Sequence, residues 1–274
     1  MGILKTITEE YFGDTIRKEN EVNIEGLDVE IVSFTDNNKN YHKKGYKPKD
    51  TDNLRELLKR MIEVRGDEGD FNDIDTSDIE DMSFLFNGET KFNGDISNWD
   101  VSNVENMNGM FYDATSFNRP IGEWDVSNVE NMISMFEKAA SFNQPIGDWD
   151  VSSVKDMYGM FFQAESFNQP IGNWNVSSVK DMGCMFLYAT SFNQPIKKWD
   201  VSNVKNMSSM FYGAESFNQP IKKWDISNVI RISCMFYNAK SFNQDLSKWD
   251  LSGKDIGDTF KNCPIKDKYK PKMV

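Results

Sequence analysis

A row of aspartates has the types and spacing most able to do chemistry, because one follows nearly every tryptophan at an interval of 25 residues. Stacked carboxylates could bind Ca²⁺, which takes about six to eight oxygen ligands. Alternatively, each could accept hydrogen bonds from the turn after it or from a helix N-terminus. One Asp per repeat offers few ligands, so the sequence favours the structural role and predicts no metal site. The row comprises Asp100, Asp125, Asp150, Asp200, Asp225 and Asp250, with Asn175 as its exception.

Two other sets of varying residues could bind a partner. The pair before each Trp changes from Gly122-Glu123 near the start of the array to Lys197-Lys198 and Lys222-Lys223 near its end, which favours an acidic partner. A second set follows the core Phe and predicts a partly exposed apolar stripe, used for recognition or for packing against neighbouring helices. The candidate partner-binding residues are Lys197, Lys198, Lys222, Lys223, Tyr112, Phe162, Tyr212 and Tyr237; Leu187 shares the stripe.

Catalytic constellations are not found in the sequence. The one histidine, His42, lies in the irregular N-terminal part, and no GxGxxG, P-loop, HExxH or CxxC motif is present. The abundant carboxylates repeat identically, whereas an active site needs asymmetric environments that separate two pKa values. We therefore predict no enzymatic activity, no catalytic residue and no cofactor.

The three cysteines are predicted to be free thiols. Cys184 and Cys234 occupy the same position two repeats apart. At a spacing of about 4.8 Å per repeat they would lie about 10 Å apart, beyond the roughly 7 Å between Cα atoms that a disulfide spans. Other repeats place Gly or Ser at this position, so we expect small buried residues there.

A strict 25-residue period must position all these residues. Seven tryptophans, from Trp99 to Trp249, and a Phe-Asn pair in each repeat lie on it, and a period of this length predicts stacked structural units. In the unit 102–126 the apolar spacing predicts a helix of about ten residues over 104–114, preceded by a Ser102 cap. Alternation over Trp124–Val126 predicts a short strand. The Asn after each Phe is expected to form a ladder that satisfies backbone groups.

The predicted fold class is α/β: a right-handed, leucine-rich-repeat-like solenoid of about seven 25-residue coils with an N-terminal capping helix. That helix spans 53–64, buries Leu54, Leu57, Leu58 and Met61, begins at a cap on Thr51 or Asp52 and ends at Gly66. The predicted domains are an N-terminal extension over 1–50, with a strand-like run over 22–32 and then a loop, a capping-helix region over 51–68, the repeat solenoid over 69–263, and a Lys-rich tail over 264–274.

Bulk composition narrows the partners. The formal net charge of −12 argues against nonspecific nucleic-acid binding, which requires cations against phosphates. No stretch approaches the roughly 18 apolar residues of a membrane helix, so membrane insertion is not expected. The first 14 residues contain no apolar h-region, so no secretory signal is predicted.

The repeat F-N-x-P-I-x-x-W-D-V-S-x-V-x-x-M-x-x-M-F-x-x-A resembles the 25-residue repeats of the BspA-like leucine-rich-repeat surface proteins, a bacterial group largely of unknown function. Residues 69–263 carry the motif, and the stretch 54–86 is similar to the segment that often precedes such arrays. The resemblance implies a solenoid that binds proteins or glycans at a cell surface, as in adhesion, and implies no catalytic residues.

These observations predict a non-enzymatic recognition or adhesion module that binds a protein or a glycan through the surface of the solenoid. The alternative is a cytoplasmic scaffold or secreted effector acting on a cellular partner, and a third hypothesis places an enzyme within residues 1–50. A monomer is expected. Localisation stays open, because the resemblance implies the cell surface while no export signal is predicted.

Overall fold

The computed structural model describes residues 22–36 and 41–271. A hairpin comes first: β1 (Val29–Asp36) pairs antiparallel with β2 (Tyr41–Pro48), with Val29 opposite Pro48. The run predicted over 22–32 thus becomes a strand only from Val29, and much of the expected loop forms β2. Residues 1–21, where no secretory signal was predicted, lie outside the described residues, as does the side chain of His42.

The helix predicted over 53–64 is present as α1 (Thr51–Arg65). Its predicted apolar face, Leu54, Leu57, Leu58 and Met61, is buried, and Gly66 ends it with a positive φ of 76°. The N-cap is Asp50, whose carboxylate accepts the N–H of Asn53 at 2.9 Å, so the predicted cap at Thr51 or Asp52 is wrong. Thr51 instead donates its hydroxyl to the Asp81 carbonyl at 2.6 Å and ties α1 to the repeats.

The repeats are built from successive turns, and no α-helix is formed over the described residues 69–263. In the segment predicted as a helix, the N–H of Met110 donates to the Met107 carbonyl, whereas the N–H of Met107 donates to Asn131 in the next repeat. Gly109 and Asp113 adopt left-handed backbone conformations, with φ of 59° and 58°. A right-handed helix of L-residues excludes such angles, so the helix predicted over 104–114 is wrong.

Hydrogen bonds between successive repeats replace regular strands. Single-residue parallel bridges join Asp81 to Asn106, Asn106 to Asn131 and onward at the repeat interval to Asp255. The strand predicted over Trp124–Val126 is not observed, because the N–H of Trp124 closes a turn on the Ile121 carbonyl. The pairing between repeats therefore lies in the segment predicted as a helix, and each repeat stacks on the next.

Aromatic columns fill the core of the stack, as predicted. Phe111 and Phe136 belong to a column with ring centroids 5.3–5.9 Å apart. Phe117 belongs to a second column with centroids 5.9–6.1 Å apart. Each tryptophan is buried, and the indole N–H of Trp149 donates to the Ile121 carbonyl at 3.0 Å. Such bonds offset the cost of burying the indole N–H.

The ladder predicted for the Asn after each Phe is confirmed. The side-chain oxygen of each accepts the backbone N–H of the equivalent Asn one repeat later, at 2.9–3.0 Å. In the later repeats a Gln amide joins in: Gln194 donates to both oxygens of Asn168. The Asn ladder comprises Asn93, Asn118, Asn143, Asn168, Asn193, Asn218 and Asn243.

We expect Asn168→Ala to lower the free energy of unfolding by about 1–3 kcal/mol, because the partly buried N–H of Asn193 and the amide of Gln194 lose their shared acceptor. Asn168→Asp is the matched control, since a carboxylate keeps both acceptor positions at neutral pH. Equilibrium denaturation of the full chain measures both. Equal losses in the two variants would contradict an acceptor role.

The first repeat is closed by β2 and α1. Tyr46 of β2 donates its N–H to the Asp73 carbonyl and accepts the N–H of Asp75, each at 2.8 Å, so β2 pairs with the repeat as a further layer. Arg65 at the end of α1 binds both carboxylate oxygens of Asp73, at 2.6 and 2.8 Å, with both side chains over nine-tenths buried. Among the described residues, no helix is both long and apolar enough to cross a membrane.

Candidate functional site

The aspartate row caps turns. Asp125 accepts the N–H of Ser127 at 3.1 Å, and the other members bond likewise to the residue two positions later, at 2.9–3.2 Å. Asn175 makes the same bond, so the geometry requires an oxygen and not a charge. The turn role is confirmed, and the helix N-terminus is excluded because no helix follows. Bonds from Ser127 lower the pKa of Asp125.

The predicted lysines lie together on two successive repeats, but not all are free. Lys197 and Lys223 are exposed. Lys198 is exposed and donates to the Asn173 side-chain oxygen at 3.1 Å, while the half-buried Lys222 forms an ion pair with Asp245. The pairing with Asp245 compensates one of the four charges and weakens this surface as a site for an acidic partner.

The predicted apolar stripe is half-buried and lies on turns instead of a helix. Tyr212 and Tyr237 stack with ring centroids 4.7 Å apart. Tyr112 stands apart from them: Lys138 donates to its hydroxyl at 3.0 Å and lies 5.1 Å from its ring centroid. Between Tyr112 and Phe162 the same position holds Glu137, which is buried. The structure therefore divides the stripe.

Exposed aromatic residues that were not predicted extend the C-terminal part of the stripe. Tyr158 and Tyr188 are 41% and 39% exposed. The ring of Tyr188 meets Tyr212 edge-on, with centroids 5.2 Å apart. A signal for Tyr188 was present: Gly213 lies 25 residues later, and a Cβ there would be 2.4 Å from the Tyr188 ring. The aromatic face, as defined here, comprises Tyr158, Phe162, Leu187, Tyr188, Tyr212 and Tyr237.

The phenols of the aromatic face remain protonated well above neutral pH. Contact with the Cys184 thiol is the main cause that raises the pKa of Tyr158 to about 12, and the Sγ–Oη distance is 3.3 Å. A hydrogen bond with Tyr188 is the main cause that raises the pKa of Tyr212 to about 12. These hydroxyls therefore stay neutral and available as hydrogen-bond donors on an otherwise apolar surface.

The cysteines are free but are not the buried residues that were predicted. Cys184, Cys234 and Cys263 are all half-buried, and no disulfide joins them. Cys184 and Cys234 both have a φ of 58°, so their position is left-handed and faces outward. Phe84 occupies the same position and is 45% exposed, so the position does not demand a small side chain. Partial burial raises the pKa of the Cys184 thiol.

Neither catalytic geometry nor a metal centre is evident in the part of the chain that the structure describes, since no three His, Cys, Asp or Glu side chains there could hold a metal ion. The arrangement offers contact surfaces instead. Apolar rings with phenol donors occupy one set of turns, and exposed lysines occupy another.

A family model matches residues 53–173 and, a second time, residues 157–270. The chain belongs to this family, described as "Mycoplasma protein of unknown function, DUF285". The two DUF285 matches cover most of α1 and all the repeats and leave out β1 and β2. Their overlap over 157–173 follows from the repetition, because a 25-residue period allows the model to align twice. No curated protein and no solved structure has significant similarity to the chain.

Proposed function

We propose that this protein is a non-enzymatic recognition module that binds a protein or a glycan through the aromatic face. Aromatic side chains, Tyr among them, are enriched in interfaces because they combine a large apolar area with a hydrogen-bond donor. On this face they are contiguous over four repeats, from Tyr158 to Tyr237. The contiguity of exposed and half-buried rings is the observation that carries the proposal.

The backbone under the aromatic face supports binding without much reorganisation. The N–H of Tyr188 donates to the Tyr212 carbonyl, and that of Gly213 to the Tyr237 carbonyl, each at 2.8 Å. The rings therefore stand on turns that are already bonded to one another. A surface ordered before binding loses less conformational entropy when a partner arrives.

The fold belongs to the same proposal. We propose a right-handed solenoid related to the BspA-like leucine-rich-repeat surface proteins, in which turns replace the usual helix and strand of each coil. Hydrogen bonds at the 25-residue interval support this reading. A surface adhesin is the first role to test, with a cytoplasmic scaffold or secreted effector as the alternative. Loss of the protein from intact cells under external protease would favour the adhesin, and full protection would favour a cytoplasmic role.

The triple variant Y188A/Y212A/Y237A is expected to weaken binding to a ligand identified on glycan and surface-protein arrays by at least about tenfold, since central aromatic contacts often contribute more than 1 kcal/mol each. The matched control is K197E/K198E/K223E, which changes another exposed surface and should weaken binding by less than about threefold. Affinity is measured at low and high salt by titration calorimetry. Binding that vanishes at high salt and in the lysine variant, but survives in the tyrosine variant, would assign recognition to the lysines.

A further inference from the structure

A row of exposed charges runs along the stack with one residue per repeat, and its sign changes once, at the middle. We call it the charge row: Glu80, Glu105, Glu130, Lys155, Lys180 and Lys205. Three acidic residues are thus followed by three basic residues at the same position of successive repeats. The position is exposed throughout, so no core packing determines which residue type stands there.

Backbone hydrogen bonds hold the charge row in register. The N–H of Glu130 donates to the Glu105 carbonyl and the N–H of Lys155 to the Glu130 carbonyl, each at 2.8 Å, and the other members connect in the same way. Residues joined in this manner are about 5 Å apart, and like charges at that distance repel. Glu130 and Lys155 form an ion pair at the sign change. Within the described residues, the other four charges have no ion-pair partner.

The order of charges is self-complementary under a two-fold rotation perpendicular to the row. Such a rotation brings Glu80 opposite Lys205, Glu105 opposite Lys180, and Glu130 opposite Lys155. We propose that a second copy of this chain docks side by side and antiparallel on the charge row. The interface is isologous, as in the commonest homodimers, and each opposite-charge pair occurs twice in it.

Charge complementarity selects a second copy over a foreign partner. An acidic ligand would match Lys155, Lys180 and Lys205 but would be repelled by the glutamates, whereas another copy matches both halves. A groove beside the basic half adds hydroxyl and amide groups that can bind incoming carboxylates. It is lined by Lys155, Ser177, Ser178, Lys180, Asn203 and Lys205.

A second row changes sign in the same direction and reinforces the antiparallel arrangement: Glu123, Asp148, Asn173, Lys198, Lys223 and Lys248. Exposed ion pairs are individually weak and are screened by salt. The dimer is therefore of the weak, reversible class, and the monomer expected from the sequence predominates at high ionic strength. This association goes beyond the proposed recognition function and needs no other ligand.

Two row variants test the proposal with purified protein. K155E/K180E/K205E makes the row wholly acidic, and E80K/E105K/E130K makes it wholly basic. Each alone is expected to sediment as a monomer, and an equimolar mixture as a heterodimer. The wild-type dimer is expected to weaken at least about tenfold between about 0.1 M and about 1 M NaCl, as the Debye length falls from about 10 Å to about 3 Å. Sedimentation velocity over a concentration series gives each dissociation constant.

A variant with matched net charge separates the row from a general charge effect. K91E/K240E/K261E carries the same net charge as the acidic-row variant but changes lysines outside both rows, so it is expected to dimerise like the wild type. A monomeric wild type at low salt would overturn the proposal. So would dimers formed by either row variant alone, or an equimolar mixture of the two that stays monomeric.

Discussion

Phe161→Ala is expected to lower the free energy of unfolding by about 3–5 kcal/mol, the range for removing a buried aromatic ring from a packed core. The ring of Phe161 is fully buried. It lies 3.9 Å from the ring of Phe167 in its own repeat and 5.6 Å from the rings of Phe136 and Phe186 in the repeats on either side, measured between centroids. The substitution therefore opens a cavity that three neighbouring rings cannot easily fill.

Phe162→Ala is the matched control, because Phe162 is the next residue in the chain and is half-buried on the outer surface. Its loss is expected to be under about 1 kcal/mol. Chemical denaturation of the full chain compares the two variants. Since each repeat contacts its neighbours, the destabilisation of Phe161→Ala should spread along the stack and appear in one shared transition. Comparable losses in the two variants would mean that the core column is assigned to the wrong residues.

Asp73→Ala is expected to lower the free energy of unfolding by about 3–5 kcal/mol, because it leaves a buried guanidinium without its counter-ion. Arg65 and Asp73 are only 8% and 7% exposed and form a two-pronged ion pair. Arg65 also donates to the Asp70 carbonyl at 2.7 Å. The bond to Asp73 raises the pKa of Arg65 against the lowering effect of its burial, so the guanidinium stays charged. Calorimetric and chemical unfolding both report the loss.

Two variants separate burial from ion pairing in general. Glu215→Ala removes the solvent-exposed partner of Lys240 and should cost at most about 0.5 kcal/mol. The double variant R65M/D73L replaces the buried pair by apolar side chains and should recover most of the stability lost in Asp73→Ala. Hydrogen exchange should show early opening of α1 in Asp73→Ala. Unchanged protection of α1 would argue that the pair does not hold the helix on the stack.

The core and the Asn ladder could be predicted because a strict interval makes each position report on its neighbours. Phe161 and Trp149 recur at every repeat, and only stacking explains such repetition. The helix over 104–114 was predicted wrongly for a definite reason. Turns closed by bonds to the third preceding residue place inward side chains at nearly helical spacing, and the left-handed angles at Gly109 and Asp113 leave no trace in apolar periodicity.

The candidate site was only partly predictable for related reasons. Tyr212 and Tyr237 could be found because they share one repeat position. Tyr188 could not be found in that way, since it occupies a left-handed position where a Tyr is unusual and its partner lies in another repeat. Arg65 and Asp73 belong to no period at all, and their pairing depends on how α1 ends over the first repeat.

The Asn ladder has a consequence for how chains of this kind change in length. Every oxygen in it serves the repeat that follows, and every repeat offers the same oxygen in turn. Excising one whole period joins two ends that already match, and duplicating one adds a layer about 5 Å thick. Recombination between the nearly identical segments of the gene can therefore lengthen or shorten the molecule in whole steps, moving the tyrosines nearer to or farther from α1 while leaving every layer bonded.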